Sequence, residues 1–469
     1  MIVSRILGPE PARWISLFSG MFLAFTGGTL YAFGTYSVDL AAALGMEDAN
    51  DVNLYGSFGD LGVYLGFVMG IFYDQFGPQA TVALGGSLGF LGYFFIYLQI
   101  TEVDPVLWTM NILFFAIGQG SFAVFIAAIS TNVKNWPNKQ NGKIVALYLF
   151  FYGLSAVVLS FVYTTVETYM FTVALLFAFA TIQGLFFLEL VPISPEAQKM
   201  PLVANASEDD FEEPSSKYLE DIDPSTKKHP ENIATVGVRG VFRYVDFYLI
   251  FLGFAGVSGA GLMWKNDLGS VSSTFGMDDR TSNLVVTWGL VNSAIRIIVG
   301  SAADPLGPFV PRPSWVLFGA FSMFLSHVLY LITQQNWVLW VISVGTGIGY
   351  GIAFAICNAL VLIYFGTESS GLKLGIASLA PAIAGFLLTF ISGKLSELAS
   401  DGDFSNCVIA EGVDCYFTSF LMSSICLALS MVSLAVLTFR HWRRMKRRQA
   451  PADYGELGEE DDLDGVPDT

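Results

Sequence analysis

Charged residues are scarce in this chain. Only 13% of its 469 residues are charged, whereas 54% are hydrophobic, and a typical soluble domain carries roughly 25% charged residues. This shortage points to lipid, because a helix of about 20 apolar residues satisfies its own backbone hydrogen bonds in a bilayer. Basic residues form no patch outside the flanks of the apolar runs, so the sequence predicts no nucleic-acid partner.

Cysteine and histidine are also few, with four and three residues. No group of them has the spacing of zinc ligands, and no nucleophile stands beside a base in a recognisable motif. The glycine-rich GTGIGYG at 345–351 lies within an apolar helix with no strand before it, which excludes a nucleotide-binding loop. We therefore predict neither enzymatic activity, nor a metal site, nor a cofactor.

Long apolar runs are what the chain has in quantity. Twelve of them are long enough to cross a bilayer, which predicts an all-α integral membrane protein with 12 transmembrane helices. The runs lie near 14–38, 53–73, 80–99, 106–130, 143–164, 168–190, 246–264, 281–303, 314–333, 337–365, 372–395 and 416–439.

An acidic stretch divides these runs six and six. Residues 191–245 hold 10 of the 40 acidic residues, and their low hydrophobicity predicts a disordered linker. The predicted domains are an N-terminal six-helix half at 1–190, this linker at 191–245, a C-terminal six-helix half at 246–440, and a tail at 441–469 that is first basic and then acidic.

The distribution of Lys and Arg predicts the orientation, because cytoplasmic loops carry an excess of both. With the N-terminus inside, 19 of the 23 basic residues fall on the inner side, three (Lys265, Arg280 and Lys394) on the outer side, and Arg296 within a span. We predict that both termini are cytoplasmic and that the protein is a monomer. Its membrane is either the plasma membrane or a vacuolar or endolysosomal membrane.

A short polar motif occurs twice in register. GIFYDQFGP at 70–78 and GSAADPLGP at 300–308 share the pattern GxxxDxxGP, and IGQG at 117–120 is echoed by IGYG at 348–351. A constant offset of about 230 residues predicts duplicated, pseudo-symmetric halves. The layout resembles the major facilitator superfamily, which implies that the motifs lie at gates between rocking halves. The gating residues are Gly70, Asp74, Gly77, Gly300, Asp304 and Gly307.

A closer resemblance is to the nodulin-like branch of that superfamily. It covers both halves and implies a membrane transporter of poorly defined substrate. The matching positions are Arg13-Trp14, Gly28-Thr29, Tyr31, Phe33-Gly34, Tyr36-Ser37, Ala43-Leu44-Gly45, Asn53-Leu54, Asp60-Leu61-Gly62, Asp246-Phe247, Gly259, Gly261-Leu262, Asn266, Leu268-Gly269, Trp288, Asn292, Arg296 and Gly300.

Arg296 is the leading candidate for substrate binding. It lies eight residues before Asp304, about 12 Å from the predicted inner face, which is too deep for the side chain to reach water easily. An arginine there can hold a carboxylate through two hydrogen bonds. The segment from Asn292 to Gly300 also resembles the eighth helix of monocarboxylate transporters, which implies an anion-binding role. A structural role, with Arg296 paired to carbonyl groups or an acid between the halves, remains an alternative.

Two further ionisable residues lie within spans. Asp60 lies about 21 Å from the inner face and could carry a coupling proton, or it could be a permanent structural partner. His327 titrates near neutral pH but lies in the ninth span, which is peripheral in the resembled fold, so a structural role is favoured.

Uncharged polar residues complete the predicted site, and Asn292, four residues before Arg296, is one of them. Tyr31, Asn111, Gln119, Tyr350 and Asn358 lie in spans that line the central cavity of the resembled fold, where they would orient a small polar solute or bridge helices. Cys407 and Cys415 share an outer loop, where a disulfide is expected.

The sequence therefore predicts an alternating-access secondary transporter of a small solute. The leading hypothesis is a monocarboxylate or other small organic anion, with protons as the coupling ion. One alternative is a transporter of a neutral or zwitterionic solute such as an amino acid. Another is a membrane receptor or scaffold that has the same fold and does not transport.

Overall fold

The computed structural model describes residues 3–46, 52–102, 106–136, 141–191, 238–303, 305–307, 309–365, 370–401, 406–409 and 412–449. All regular elements in these ranges are helical. Eleven helical stretches of this described part are long and apolar enough to cross a membrane. One of the eleven contains a reversal, and its first part continues the helix Val52–Tyr64, so the described helices run along the bundle twelve times.

The reversal lies inside the helix Phe67–Thr101. Gly77 adopts φ 78° and ψ −177°, which a residue with a side chain rarely tolerates, and Pro78 begins the next helix. Contacts with the neighbouring helix Leu107–Asn135 show that the direction changes, because they ascend that helix before Gly77 and descend it afterwards. These contacts are Gly62 to Gly118, Gly66 to Phe122, Gly85 to Ala123 and Gly92 to Ile117.

We number the crossings as spans 1 to 12. Span 1 is Pro9–Gly27, the 3₁₀ turn Thr29–Ala32 and Phe33–Ala43; span 2 is Val52–Tyr64 with residues 67–76; span 3 is 78–101; spans 4 to 12 are Leu107–Asn135, Asn141–Phe161, Val166–Phe187, Val245–Thr274, Thr281–Ala302, Arg312–Ile332, Asn336–Phe365, Ser370–Ala399 and Phe417–Gln449. A short helix, Val3–Leu7, precedes span 1.

Different interactions stabilise the two ends of the bundle. At one end, Arg440 and Arg444 of span 12 each donate to the Asp246 carboxylate at the start of span 7, at 2.7 Å. We name this end the terminal face. At the other end Cys407 and Cys415 form a disulfide with their Cα atoms 5.6 Å apart, and we name it the disulfide face.

Spans 1–6 and spans 7–12 form two halves that meet along a seam. Near the disulfide face, spans 1 and 7 approach so closely that a Cβ on Gly269 would lie 2.3 Å from Ser37 Oγ. A Cβ on Gly34 would lie 3.1 Å from the Lys265 carbonyl oxygen. Small residues allow such approach between helices in lipid. The seam is therefore closed between these two spans at the disulfide face.

Candidate functional site

Arg296 lies in the middle of the seam, on span 8, with 1% of its surface exposed. Its Nε donates to Asn292 Oδ1 one turn earlier (3.1 Å), and one terminal nitrogen donates to Tyr31 Oη (3.2 Å). The other donates to the Leu149 carbonyl oxygen of span 5 (3.4 Å). All three acceptors are uncharged, so the described part of the chain offers this buried cation no carboxylate partner within hydrogen-bond reach.

Aromatic rings surround the guanidinium. Its central carbon lies 5.8 Å from the ring centre of Tyr31, 5.9 Å from that of Tyr350 and 5.6 Å from that of Phe354. We call these three rings the aromatic cage. Cation–π attraction stabilises a desolvated guanidinium by about 2 kcal/mol or more. The cage therefore offsets part of the cost of burying Arg296 without neutralising its charge.

Hydroxyl groups connect the cage to both halves. Tyr350 Oη of span 10 lies within hydrogen-bond distance of Tyr31 Oη on span 1 (3.4 Å) and of Tyr64 Oη on span 2. Trp288 and Tyr152 pack edge-on against Tyr31, with ring centres 5.4 and 5.0 Å away. Since each half supplies part of this cluster, a motion that separates the halves must also take it apart.

A buried ion pair lies next to the cage. Lys265 Nζ of span 7 lies 2.5 Å from Asp60 Oδ1 of span 2, with side-chain exposures of 2% and 4%. Asn266 Nδ2 donates to the second carboxylate oxygen at 2.9 Å, and Lys265 Nζ lies 5.9 Å from the Tyr31 ring centre. The pair joins the two halves beside Arg296.

The placement of Lys265 outside the membrane is wrong. The sequence analysis ends the seventh span at residue 264, because hydropathy falls where a lysine, an asparagine and an aspartate follow one another. The helix continues to Thr274 and buries Lys265. A partner of opposite charge offsets the desolvation cost of a buried charge. Asp60 lies far from Lys265 in the sequence, so the local hydropathy around Lys265 cannot show that this partner exists.

The predicted polar residues separate into two groups. Tyr31, Asn292 and Tyr350 lie together around Arg296. Gln119 instead donates to the Gly62 carbonyl oxygen of span 2 at 2.7 Å, and Asn358 donates to Phe354 O of its own helix at 3.4 Å. The Asn111 Oδ1 atom accepts no hydrogen bond from the described residues. The structure thus brings three of the predicted polar residues to the arginine.

The predicted gating residues have unlike surroundings. Gly77 makes the turn between spans 2 and 3, and Asp74 is exposed one turn before it. A Cβ on Gly70 would meet no atom within 4 Å, and one on Gly300 would meet only Ala146 Cβ, at 3.7 Å. Gly307 lies in a turn, while Asp304 lies outside the described residues.

Two further predicted features lie away from the cage. His327 is fully buried on span 9, where its Nδ1 lies 2.8 Å from Ser423 Oγ of span 12. The disulfide-bonded loop holds Asp414, which accepts hydrogen bonds from Tyr330 Oη and the Tyr416 backbone N–H, both at 2.9 Å. Burial raises the pKa of Asp414, and these hydrogen bonds oppose that rise.

Among the described residues, no group of three or more His, Cys, Asp or Glu side chains could hold a metal ion. The chemistry of the site is therefore built from one guanidinium, an ion pair, amides and phenols. Groups of these kinds can bind and orient a polar solute.

Residues 13–211 match the Nodulin-like family. This Nodulin-like match begins within span 1 and ends beyond span 6, so it covers the half that supplies Tyr31, Asp60 and Tyr64. The resemblance predicted from the sequence is confirmed over these residues.

Whole-chain comparisons extend this picture. A probable transporter MCH1 of Gibberella zeae is 23% identical, over 90% of this chain and 89% of the relative. Protein NUCLEAR FUSION DEFECTIVE 4 of Arabidopsis thaliana is 20% identical, over 91% and 88%. A crystal structure of the nucleoside transporter NupG matches with a TM-score of 0.59 at 14% identity, over 91% of this chain and 99% of NupG. The major facilitator fold with its two halves is confirmed.

Proposed function

We propose that this protein is a secondary transporter that carries a small carboxylated solute across a membrane by alternating access. The observation that supports this most directly is Arg296, a cation buried in the seam whose described hydrogen-bond partners are all neutral. A monocarboxylate would supply the missing negative charge. The relatives named as probable transporters and the fold shared with a nucleoside transporter support the general class.

The binding step follows from the donors of the arginine. A guanidinium has five N–H groups in a planar fork that fits both oxygens of a carboxylate. On binding, the solute would replace Tyr31 Oη and the Leu149 carbonyl oxygen as acceptors, while Asn292 continues to hold Nε. The rings of the aromatic cage would enclose the organic part of the solute.

The transport step follows from the seam. Both halves contribute to the cage, and the Asp60–Lys265 pair crosses between them beside it. Rocking of the halves would open one face and close the other around a fixed central site. An ion gradient would supply the energy, with protons as the leading candidate. Asp60 is bound to Lys265 and Asn266, which favours the structural role over the proton-carrying role among the two predicted for it.

The orientation in the membrane remains a prediction. Moving Lys265 into a span leaves Arg280 and Lys394 as the basic residues assigned to the outer side, which makes the bias toward a cytoplasmic terminal face stronger. The disulfide face is then extracytoplasmic, where a disulfide is chemically favoured.

Uptake into proteoliposomes tests the role of Arg296. A panel of radiolabelled small carboxylates is offered to the wild type, Arg296→Lys, Arg296→Ala and Arg280→Ala, the last a control because Arg280 is 61% exposed. We expect at least a hundredfold loss of uptake for Arg296→Ala, a smaller loss for Arg296→Lys, and wild-type uptake for Arg280→Ala. Carboxylate uptake that survives in a folded Arg296→Ala variant would overturn the assignment.

A neutral or zwitterionic solute is the second candidate. It is favoured by the fact that three of the five N–H donors of Arg296 are already bonded within the protein. Competition by unlabelled amino acids and other neutral solutes against a labelled substrate separates the candidates, because only an anion site requires the competitor to carry an unpaired carboxylate.

A further inference from the structure

Asp267 is a second buried carboxylate on span 7, two residues beyond Lys265. Its exposed fraction is 1%. Oδ2 accepts a hydrogen bond from Ser392 Oγ of span 11 at 2.6 Å, and Oδ1 has no partner among the described residues. A carboxylate that is buried with a single hydroxyl donor is poorly compensated, in contrast to Asp60 with its lysine and amide.

The charged groups on the helices around Asp267 are engaged elsewhere. Span 2 presents Asp60, bound to Lys265 and Asn266; span 8 presents Arg296, bound in the cage; span 9 presents His327, bound to Ser423. Further charged groups lie toward the ends of the bundle and also have partners. Asp39 is bound to Tyr163, Lys394 to Glu397, and Lys373 to the Phe365 carbonyl oxygen. Asp246 is bound to Arg440 and Arg444, Asp414 to Tyr330, and Asp279 forms an exposed pair with Arg280. In the described part of the chain, the Asp267 carboxylate thus has no bonded counter-ion.

Asp267 also lies where the seam must open. Asn266 on one side of it bonds Asp60 of span 2, and Ser270 one turn further accepts from Asn53 of span 2 at 3.4 Å. Thr274, the end of span 7, is seven residues away, or about 10 Å along the helix. Separation of spans 2 and 7 at the disulfide face would therefore bring water to this part of span 7.

We propose that Asp267 is the proton-binding site of this transporter and that the disulfide face closes when it is protonated. The proton bonds to Oδ1, which removes the negative charge while Ser392 still donates to Oδ2. Deprotonation returns the proton to water and leaves a charge that the closed seam cannot compensate, so the face opens. This proposal rests on the alternating-access motion proposed above, and it does not depend on the identity of the solute.

The test measures opening without any substrate. Ser37, buried in the closed contact with Gly269, is replaced by Cys in a Cys357→Ala, Cys426→Ala background that keeps the disulfide. Purified protein in lipid nanodiscs is treated with a membrane-impermeant maleimide from mildly acidic to mildly alkaline pH. Rates are divided by those of the denatured protein at the same pH, which removes the titration of the thiol itself. Asn53→Cys serves as a second reporter.

Each variant has a distinct expected result. In the otherwise wild-type protein, the normalised rate should rise with pH by up to about tenfold per pH unit. Asp267→Asn should label slowly at every pH. Ser392→Ala, which loses a hydrogen bond to the charged form, should move the midpoint to higher pH by about one pH unit. Asp60→Asn, the matched control, should label faster at every pH and keep the pH dependence.

Three results would overturn the proposal. These are a wild-type rate that does not vary with pH, an Asp267→Asn variant that retains the wild-type pH dependence, and loss of the pH dependence in Asp60→Asn alone. A failure of carboxylate uptake leaves the labelling result unaffected, so the two proposals fail independently. Infrared spectra give a second measurement. The proposal requires a carbonyl band of a protonated carboxyl group in the wild type and the absence of this band in Asp267→Asn.

Discussion

At the scale of single residues, the seam holds charges in two different ways. Asp60 and Lys265 are buried as partners, whereas Arg296 is buried among neutral acceptors and rings. Removing one member of a buried ion pair leaves an uncompensated charge, which costs more than removing both. A buried charge with a permanent partner of opposite charge therefore has a structural role, whereas a buried charge with only neutral partners is a candidate for binding a charged ligand.

The Asp60–Lys265 pair yields a prediction about stability. Asp60→Asn or Lys265→Met alone should each destabilise the protein by about 3–5 kcal/mol, because the remaining charge is buried. The double variant should lose less than the sum of the two single variants. A double-mutant cycle of thermal unfolding in detergent measures the coupling. Strictly additive losses would show that the two side chains do not interact.

Arg296 should behave differently in the same assay. Because its present partners are neutral, Arg296→Met removes the cost of burying a charge and should leave the unfolding temperature equal to or above that of the wild type. Transport should nevertheless be lost. An unfolding temperature that falls as far as that of Lys265→Met would assign Arg296 a structural role.

At the scale of helices, glycine decides how closely spans 1 and 7 approach. A Cβ on Gly269 would lie 2.3 Å from Ser37 Oγ and 2.9 Å from the Gly34 carbonyl oxygen. The Ser37 side chain could rotate away from this Cβ, but the Gly34 carbonyl oxygen is part of the backbone, so span 1 itself would have to shift. The closed disulfide face therefore depends on this position having no side chain.

The corresponding prediction uses two alanine substitutions. Gly269→Ala should push span 1 from span 7 and raise maleimide labelling at Asn53→Cys several-fold. Leu252→Ala, on the exposed side of span 7, is the control, since 58% of the Leu252 surface is exposed, and its labelling should equal that of the parent. Equal rates for both variants would contradict the view that the glycine contact closes this face.

The disulfide loop gives a second prediction at this scale. Cys407 and Cys415 lie eight positions apart in the sequence. In the entropic model, closing a loop of this size in the unfolded chain increases the free energy of unfolding by roughly 2–3 kcal/mol. Cys407→Ser with Cys415→Ser should therefore lower the unfolding temperature, and reductant should lower that of the wild type but not that of the variant. An equal response of both proteins to reductant would exclude this disulfide as the cause.

At the scale of the whole molecule, the proposed alternating-access motion requires the seam to open. Asn53 of span 2 and Ser270 of span 7 meet across it at the disulfide face. A cross-link between Asn53→Cys and Ser270→Cys should abolish solute flux, and reductant should restore it. Each single cysteine variant controls for the effect of reductant on Cys407 and Cys415. Undiminished flux through a fully cross-linked protein would contradict alternating access at this seam.

The sequence predicts the fold well because its signals are local. Apolar runs, the repeated GxxxDxxGP motif and the glycine at the reversal each act over a few residues, and twelve crossings follow from them. Arg296 and its neighbour Asn292 share one helix face, so their contact was also foreseeable. The grouping of Tyr31 with Tyr350 depended on the resemblance to a known fold.

The remaining parts of the site depend on contacts between distant helices. Lys265 is recognisable as a membrane residue only beside Asp60, 205 positions earlier. Tyr64, Trp288 and Phe354 carry no polar signal that distinguishes them from other aromatic residues in an apolar chain. Asp267 is missed for the same reason as Lys265. Both residues follow position 264, where the fall in hydropathy places the end of the predicted seventh span.

The unpaired charge of Arg296 has an electrical consequence. The charges of Asp60 and Lys265 cancel each other. With Asp267 protonated as proposed, the closed seam without solute would therefore hold one net positive charge at its centre. A bound monocarboxylate would cancel it. The membrane potential, worth about 2.3 kcal/mol per charge per 100 mV across the full bilayer, should then act on the return of the empty carrier and leave the loaded step indifferent to voltage.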